Sequence, residues 1–212
     1  MLQALIRRPI VPTSSGPLLV LLHGLGANEH DLMGLERDFD PKLTIVCLRA
    51  PLEYQFGGFA WFEIQWLPDG IHVDPQQALQ SLDILLETLR NLPSQLDLQP
   101  SQTFLGGFSQ GAIMSLGASL AEPGLFDGVL LLSGRMLPEF AQVDPSPTFA
   151  KLPFYVQHGL NDQVLPVSGA RTIKSFLESA GCPLTYLEYS MGHEINQPSL
   201  KQMTRWLNER IV

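Results

Sequence analysis

The sequence predicts an α/β fold in which a mostly parallel sheet is covered by helices on both faces. Several short segments are apolar almost without interruption, which is typical of strands buried on both sides. Segments with helical spacing of apolar residues alternate with these strands. Right-handed crossovers between parallel strands place the carboxyl ends of the strands along one edge of the sheet, where ligands bind in such folds. Polar residues suited to catalysis follow several of the predicted strands, so we expect them to meet at that edge.

The predicted strands are short and predominantly apolar. They cover Leu18–Leu22, 43–48, Thr103–Phe108, Gly128–Leu132, 154–157 and Leu184–Tyr189. The first of these consists only of leucine and valine, a composition that suits a strand with helices packed on both of its faces.

The predicted helices carry apolar residues three or four positions apart. Asp74 is a capping residue followed by Pro75 at the first helical position, and leucines then repeat at helical spacing until Pro93, where we expect the helix to end. Small residues over 111–121 predict a helix directly after a strand, and Asn28 marks the start of another. Two more amphipathic helices are indicated by Ala170, Ile173, Leu177 and Ala180, and by Leu200, Met203, Leu207 and Ile211.

Length and composition favour one globular domain over residues 1–212. Hydrophobic residues make up 45% and charged residues 16% of the chain, which is ordinary for a folded protein. The net charge of −8 and the scattered basic residues disfavour nucleic-acid binding. The chain shows neither a signal-peptide core nor an apolar run approaching a membrane span, so we expect a soluble, cytoplasmic protein without stable membrane insertion. Oligomeric state has no signature in the sequence.

The pentapeptide 107–111, Gly-Phe-Ser-Gln-Gly, lies where a strand meets a helix and is a candidate nucleophile elbow. In such an elbow the chain turns so sharply that the nucleophile takes a strained backbone conformation, and the flanking glycines make room for the crowded turn. Ser109 is the predicted nucleophile. A serine hydroxyl requires a histidine base, and the histidine requires a carboxylate that fixes its tautomer.

The elbow is typically followed along the chain by the acid and then by the histidine. His23 precedes the serine and breaks this order, so we interpret it as a structural residue that braces a glycine turn. His158 and His193 follow the serine, but only His193 has an acid at a strand end before it, namely Asp162. The order therefore predicts Ser109, Asp162 and His193 as the catalytic residues.

Acyl transfer also needs hydrogen-bond donors that stabilise the negative charge developing on the carbonyl oxygen. The backbone N–H of Gln110 follows the nucleophile at a helix N-terminus, where N–H groups have no intrahelical partner. The glycine-rich segment 23–26 can supply a second N–H, for which we choose Leu25.

These residues resemble the phospholipase/carboxylesterase family of compact α/β-hydrolases, which includes bacterial carboxylesterases and acyl-protein thioesterases. The segments that carry the resemblance occur in family order: 23–28 with Asp31 and Leu32, Trp61 and Phe62, 106–111, 132–134, His158 and Gly159 with Asp162 and 164–166, and Gly192 with His193. The resemblance implies hydrolysis of esters, thioesters or lysophospholipids through an acyl-enzyme, with neither a cofactor nor a metal. It assigns the same roles to Ser109, Asp162 and His193, and it supports Leu25 and Gln110.

The resemblance also bears on the substrate. The segment 27–29 looks more like the bacterial esterases than the thioesterases that remove palmitate from proteins, and the chain has little room for a separate lid, so small-molecule esters with short to medium acyl chains fit best. The aromatic segment 56–67 lacks a clear period and predicts a loop near the site. Trp61 either seals the core or, with Val164, walls an acyl pocket as the resemblance suggests.

Two other classes of function stay open at this point: a different kind of hydrolase, and a protein that only binds a ligand. Dienelactone hydrolases and peptidases share the fold and the elbow. The former usually have a cysteine nucleophile, whereas Cys47 and Cys182 have sequence neighbours typical of unreactive structural thiols. A hydrolase fold kept only to bind an apolar ligand is the second alternative, and the intact set of serine, acid and histidine argues against it.

Overall fold

The computed structural model describes residues 2–11, 15–67 and 70–212, which fold around one seven-stranded sheet. In spatial order its strands are β1 (Ala4–Arg7), β3 (Thr44–Leu48), β2 (Leu18–Leu22), β8 (Thr103–Phe108), β9 (Gly128–Leu132), β10 (Phe154–Gly159) and β11 (Leu184–Tyr189). Every neighbouring pair is parallel except β1 with β3 at the edge. The predicted parallel sheet is confirmed, and β1 is an addition that the sequence analysis did not include.

Helices pack on both faces of this sheet, as predicted. They are α1 (Glu29–Met33), α2 (Pro75–Gln95), α3 (Gln110–Ala121), α4 (Pro138–Ala141), α5 (Ser168–Ser179) and α6 (Gln197–Asn208). The core on one face joins α2, α3 and α5, and the core on the other joins α1 and α6. Successive residues of β2 alternate between the two cores, which explains why a strand buried on both faces is apolar throughout. In the described residues, no helix is long and apolar enough to cross a membrane.

Helix α2 does not end at Pro93 as predicted but continues to Gln95. A proline costs a helix one hydrogen bond and crowds the carbonyl four residues earlier, while its own φ suits a helix. Leu92 is buried in the core beside it, and the N–H of Leu96 still donates to the carbonyl of Leu92 at 3.1 Å. Core packing therefore holds the last turn in spite of the proline.

The aromatic segment 56–67 is not the simple loop that the sequence predicted. Its residues contribute to two small antiparallel sheets, β4 (Leu52–Tyr54) with β5 (Gly58–Ala60), and β6 (Ile64–Leu67) with β7 (Gly70–Val73). These strands are only three or four residues long, too short for an alternating pattern to be recognised in the sequence. The described residues also form four short 3-10 helices, at Glu36–Asp38, Gln55–Gly57, Pro123–Leu125 and Phe149–Lys151.

Candidate active site

Ser109 occupies a strained turn between β8 and α3. Its φ of 56° and ψ of −116° lie in a region that residues other than glycine rarely adopt. The Ser109 N–H donates to the carbonyl of Leu132 on the neighbouring strand at 2.9 Å, which ties the turn to the sheet. The serine is only 8% exposed and faces a cavity at the carboxyl edge of the strands. This geometry is that of the predicted elbow.

The glycines on either side of Ser109 allow backbone segments to come into direct contact. A Cβ on Gly107 would lie 2.2 Å from the carbonyl carbon and oxygen of Gly111. A Cβ on Gly111 would lie 1.9 Å from the carbonyl oxygen of Leu22. Since both obstacles are backbone atoms, neither can be relieved by a side-chain rotation.

We expect Gly111→Ala to lower the free energy of unfolding by about 3 kcal/mol or more, because overpacking against backbone outweighs the gain in helix propensity of about 1 kcal/mol. Gly124→Ala is the matched control, since Gly124 has open space around its Cβ position and should change stability by less than about 0.5 kcal/mol. Urea unfolding of both variants measures the difference. Equal stability of the two variants would contradict the close contact at the elbow.

His193 lies between Ser109 and Asp162 and is hydrogen-bonded to both. Its Nε2 is 2.9 Å from the Ser109 hydroxyl oxygen, and its Nδ1 is 2.6 Å from Asp162 Oδ2. The other carboxylate oxygen of Asp162 accepts the backbone N–H groups of Val164 and Leu165 at 2.9 and 2.8 Å. The Phe108 ring packs against the His193 imidazole with centroids 4.8 Å apart. The three residues chosen from chain order therefore meet in one hydrogen-bonded row.

His158 also contacts the Asp162 carboxylate, a contact that the sequence analysis did not anticipate. Its Nε2 lies 2.8 Å from the Leu165 carbonyl and 3.2 Å from Asp162 Oδ2, and the ring is completely buried. A carbonyl only accepts hydrogen bonds, so Nε2 carries a proton and donates it to the Leu165 carbonyl. Within the described ranges, the Nδ1 of His158 has no hydrogen-bond partner. The spacing of four residues between His158 and Asp162 was the feature of the sequence that could have indicated this contact.

The backbone loop opposite the elbow is held in place by β5. The Gly26 N–H donates to the Phe59 carbonyl, and the Phe59 N–H donates to the Ala27 carbonyl, both at 2.9 Å. Gly26 has a φ of +76°, and a Cβ on Gly58 would lie 2.1 Å from the Gly26 oxygen, so the approach of the two segments requires glycine. The Asn28 side chain then caps the N-terminus of α1 by accepting the His30 N–H.

The N–H groups of Leu25 and Gln110 are both free to bind a ligand. In the described chain the Leu25 N–H has no hydrogen-bond partner. Gln110 is the first residue of α3, and the N–H of a first helical residue lacks an intrahelical acceptor. Both residues line the same cavity as Ser109. The Gln110 side chain is engaged within the protein: its Oε1 accepts the Trp61 backbone N–H, and its Nε2 donates to the Phe62 carbonyl.

His23 is a buried brace rather than a residue of the cavity. Its Nδ1–H donates to the Gly24 carbonyl at 2.7 Å, and its Nε2 accepts the Ala50 N–H at 3.1 Å. Burial lowers the pKa of His23, in spite of the bond to Gly24, and this favours the neutral ring that the two contacts require. The glycine turn after β2 is thereby fixed relative to the end of β3.

A cavity of about 190 Å³ opens next to Ser109. Its lining is mainly apolar, with Leu25, Ala27, Phe62, Ile64, Phe108, Ile113, Val164 and Leu165, while Asp31, Arg135 and His193 are the ionisable residues. Val164 lines the cavity, whereas Trp61 does not. Trp61 is fully buried and its Nε1–H donates to the His23 carbonyl at 3.0 Å, so it seals the core while the adjacent Phe62 faces the cavity. In the described chain, acidic residues, histidines and cysteines form no group of three or more that could hold a metal ion.

The fold and the strained serine turn define an α/β-hydrolase, and comparison with known proteins gives the same class. Esterase PE8, whose structure has been solved, superimposes with a TM-score of 0.85 at 29% identity, and the match covers 99% of both chains. The carboxylesterase of Bacillus cereus shares the fold with a TM-score of 0.84 at 20% identity, over 99% of this chain and 95% of that one.

Sequence comparison specifies the family. The model of the phospholipase/carboxylesterase family matches residues 5–211, so the chain belongs to that family and is an enzyme of the carboxylesterase class. Esterase YpfH of Escherichia coli is 32% identical over 193 residues, which are 87% of this chain and 78% of that protein. Acyl-protein thioesterase 1 of Saccharomyces cerevisiae is 27% identical over 72% of this chain and 69% of its own.

Proposed function

We propose that the protein hydrolyses small carboxylic esters through an acyl-enzyme formed on Ser109. The observation that carries this proposal is the row of hydrogen bonds from the Ser109 hydroxyl through His193 to Asp162. The Ser109 end of this row lies at a mainly apolar cavity. We also infer that residues 1–212 act as one domain, because a single sheet supports each of these three residues.

In the first half of the reaction, the Ser109 oxygen attacks the ester carbonyl while His193 Nε2 accepts the hydroxyl proton. Asp162 keeps the other proton of His193 on Nδ1 and stabilises the imidazolium that forms. The N–H groups of Leu25 and Gln110 donate to the oxyanion of the tetrahedral intermediate. His193 then returns the proton to the departing alcohol, which leaves the acyl group on Ser109.

In the second half, a water molecule attacks the acyl-enzyme while His193 Nε2 accepts a proton from it. The bond between the acyl carbon and the Ser109 oxygen then breaks, His193 returns the proton to that oxygen, and the carboxylic acid is released. A thiol can leave in place of an alcohol without any change in the residues required. The cavity of about 190 Å³ favours short and medium acyl groups over long ones.

The two alternatives drawn from the sequence are less well supported. A cysteine nucleophile of the dienelactone-hydrolase type is disfavoured because Cys47 and Cys182 are buried, and burial raises the pKa of their thiols to about 12 and about 11. A non-catalytic binding protein does not require a strained serine within 2.9 Å of a histidine nitrogen.

The proposal is tested with p-nitrophenyl esters and acyl thioesters of increasing chain length, together with a fluorophosphonate probe. We expect kcat/KM to be highest for short or medium chains and to fall for palmitoyl substrates. We also expect the probe to modify Ser109, identified by mass spectrometry of the digested protein. Failure to hydrolyse any of these substrates, combined with an absence of labelling, would refute the proposed function.

A further inference from the structure

Arg135 brings an unpaired positive charge to the cavity beside Ser109. The residue is half-buried in the loop after β9, and within the described chain its guanidinium forms neither a hydrogen bond nor an ion pair. Four other arginines are paired with carboxylates, in the pairs Arg49 with Glu29, Arg90 with Glu122, Arg171 with Glu188, and Arg205 with Glu209. Burial lowers the pKa of the Arg135 guanidinium, and the nearby charge of Glu139 offsets this only in part. The cost of burying this charge is therefore not fully compensated within the described chain, which calls for an explanation outside folding.

The backbone that carries Arg135 is itself strained and closely packed. Ser133 has a φ of 51°, it is completely buried, and its hydroxyl has no partner in the described residues. A Cβ on Gly134 would lie 2.7 Å from the Ala112 Cβ, and a Cβ on Gly169 would lie 2.9 Å from the Arg135 Cβ. Backbone strain of this kind persists where the surrounding structure holds it and is concentrated at functional sites. The base of the Arg135 side chain is therefore fixed against α3 and α5.

The charges around the cavity restrict the kind of anion that can bind. Arg135 is the one lysine or arginine among the cavity residues that the structure describes, and Asp31 is the one acidic residue among them. The whole chain has a net charge of −8, so anions are attracted by this arginine locally and not by the protein as a whole. A cavity lined by a single guanidinium and one carboxylate suits a monoanion better than a phosphate dianion.

We infer that Arg135 binds a carboxylate on the ester substrate, which makes the enzyme selective for acidic esters such as half-esters of dicarboxylic acids. The planar guanidinium binds a carboxylate through two parallel hydrogen bonds, and a neutral substrate leaves these donors unused. This inference rests on the proposed esterase function and specifies its substrate class.

Two pairs of esters of similar shape test the inference. In the first pair, mono-p-nitrophenyl glutarate is compared with p-nitrophenyl 5-methylhexanoate, in which an isopropyl group replaces the carboxylate. In the second pair the charge is on the alcohol side, with 4-acetoxybenzoate compared with 4-isopropylphenyl acetate. The quantity measured is the ratio of kcat/KM for the acidic ester to that for the neutral ester, in the wild type and in each variant.

We expect Arg135→Gln to lower this ratio about tenfold or more for at least one pair, and Arg135→Lys to lower it less. Arg37→Gln is the matched control, because it removes the same charge at an exposed position away from the cavity. Its ratio should equal that of the wild type, which excludes a general effect of net charge.

One result would overturn the inference and leave the esterase function standing. In that result the enzyme hydrolyses the neutral esters, and the ratio for Arg135→Gln equals the wild-type ratio in both pairs. If Arg135→Gln does not fold, the wild type decides: hydrolysis of the neutral ester faster than the acidic ester in both pairs also overturns it. Hydrolysis of none of the four esters, with no fluorophosphonate labelling, would instead overturn the proposed function and the inference with it.

Discussion

Ser109→Ala is expected to lower kcat for ester hydrolysis by about 10⁶ while the protein stays folded. The alanine retains the backbone of the turn but removes the oxygen that lies 2.9 Å from His193 Nε2. Without that oxygen no acyl-enzyme can form, so only substrate binding and the donors of Leu25 and Gln110 remain to assist attack by water. The variant should also lose all labelling by the fluorophosphonate probe.

Ser119→Ala is the matched control for this substitution. Ser119 is a buried serine on the same helix, α3, and its hydroxyl donates to the Leu116 carbonyl at 2.8 Å, away from the cavity. We expect it to keep the wild-type kcat within a factor of about two or three, since it contacts no group of the proposed mechanism. A loss of less than tenfold in Ser109→Ala, after purification to exclude wild-type contamination, would mean that another residue is the nucleophile.

The order of residues along the chain was sufficient to select Ser109, Asp162 and His193. Each follows a different strand of a parallel sheet, and the topology of such a sheet brings those positions to one edge. The structure brings the three side chains within hydrogen-bonding distance, while their catalytic roles stay predictions. Sheet topology therefore predicted that these three residues lie together, because strand ends are fixed by the sheet and not by side-chain packing.

The walls of the cavity were harder to predict because they depend on side-chain direction in loops and very short strands. The sequence singled out Trp61 as one possible wall, but the cavity is lined by the adjacent Phe62 and by Ile64. Arg135 and His158 were missed as contacts for a related reason. The position of Arg135 depends on the left-handed turn at Ser133, and the contacts of His158 depend on how the loop after β10 folds back onto the strand. Neither feature has a period in the sequence.

Asp162→Asn is expected to lower kcat about 10⁴-fold, because it changes the tautomer of His193. The Asp162 oxygen that accepts the Val164 and Leu165 N–H groups must stay an acceptor, so the asparagine amide nitrogen replaces the oxygen facing His193. The amide nitrogen is a donor, which forces His193 Nδ1 to accept and places the ring proton on Nε2. In that tautomer His193 can no longer accept the proton of Ser109.

The same substitution should also lower stability, because the Nε2–H of His158 lies close to that oxygen. The Nε2–H of His158 donates to the Leu165 carbonyl and lies 3.2 Å from Asp162 Oδ2, so an amide group there sets one donor against another in a buried site. Asp83→Asn removes the same charge from an exposed position on α2 and should change neither kcat nor stability appreciably. Steady-state hydrolysis and urea unfolding measure the two effects separately. A kcat within tenfold of the wild type in Asp162→Asn would show that the tautomer of His193 does not depend on this carboxylate.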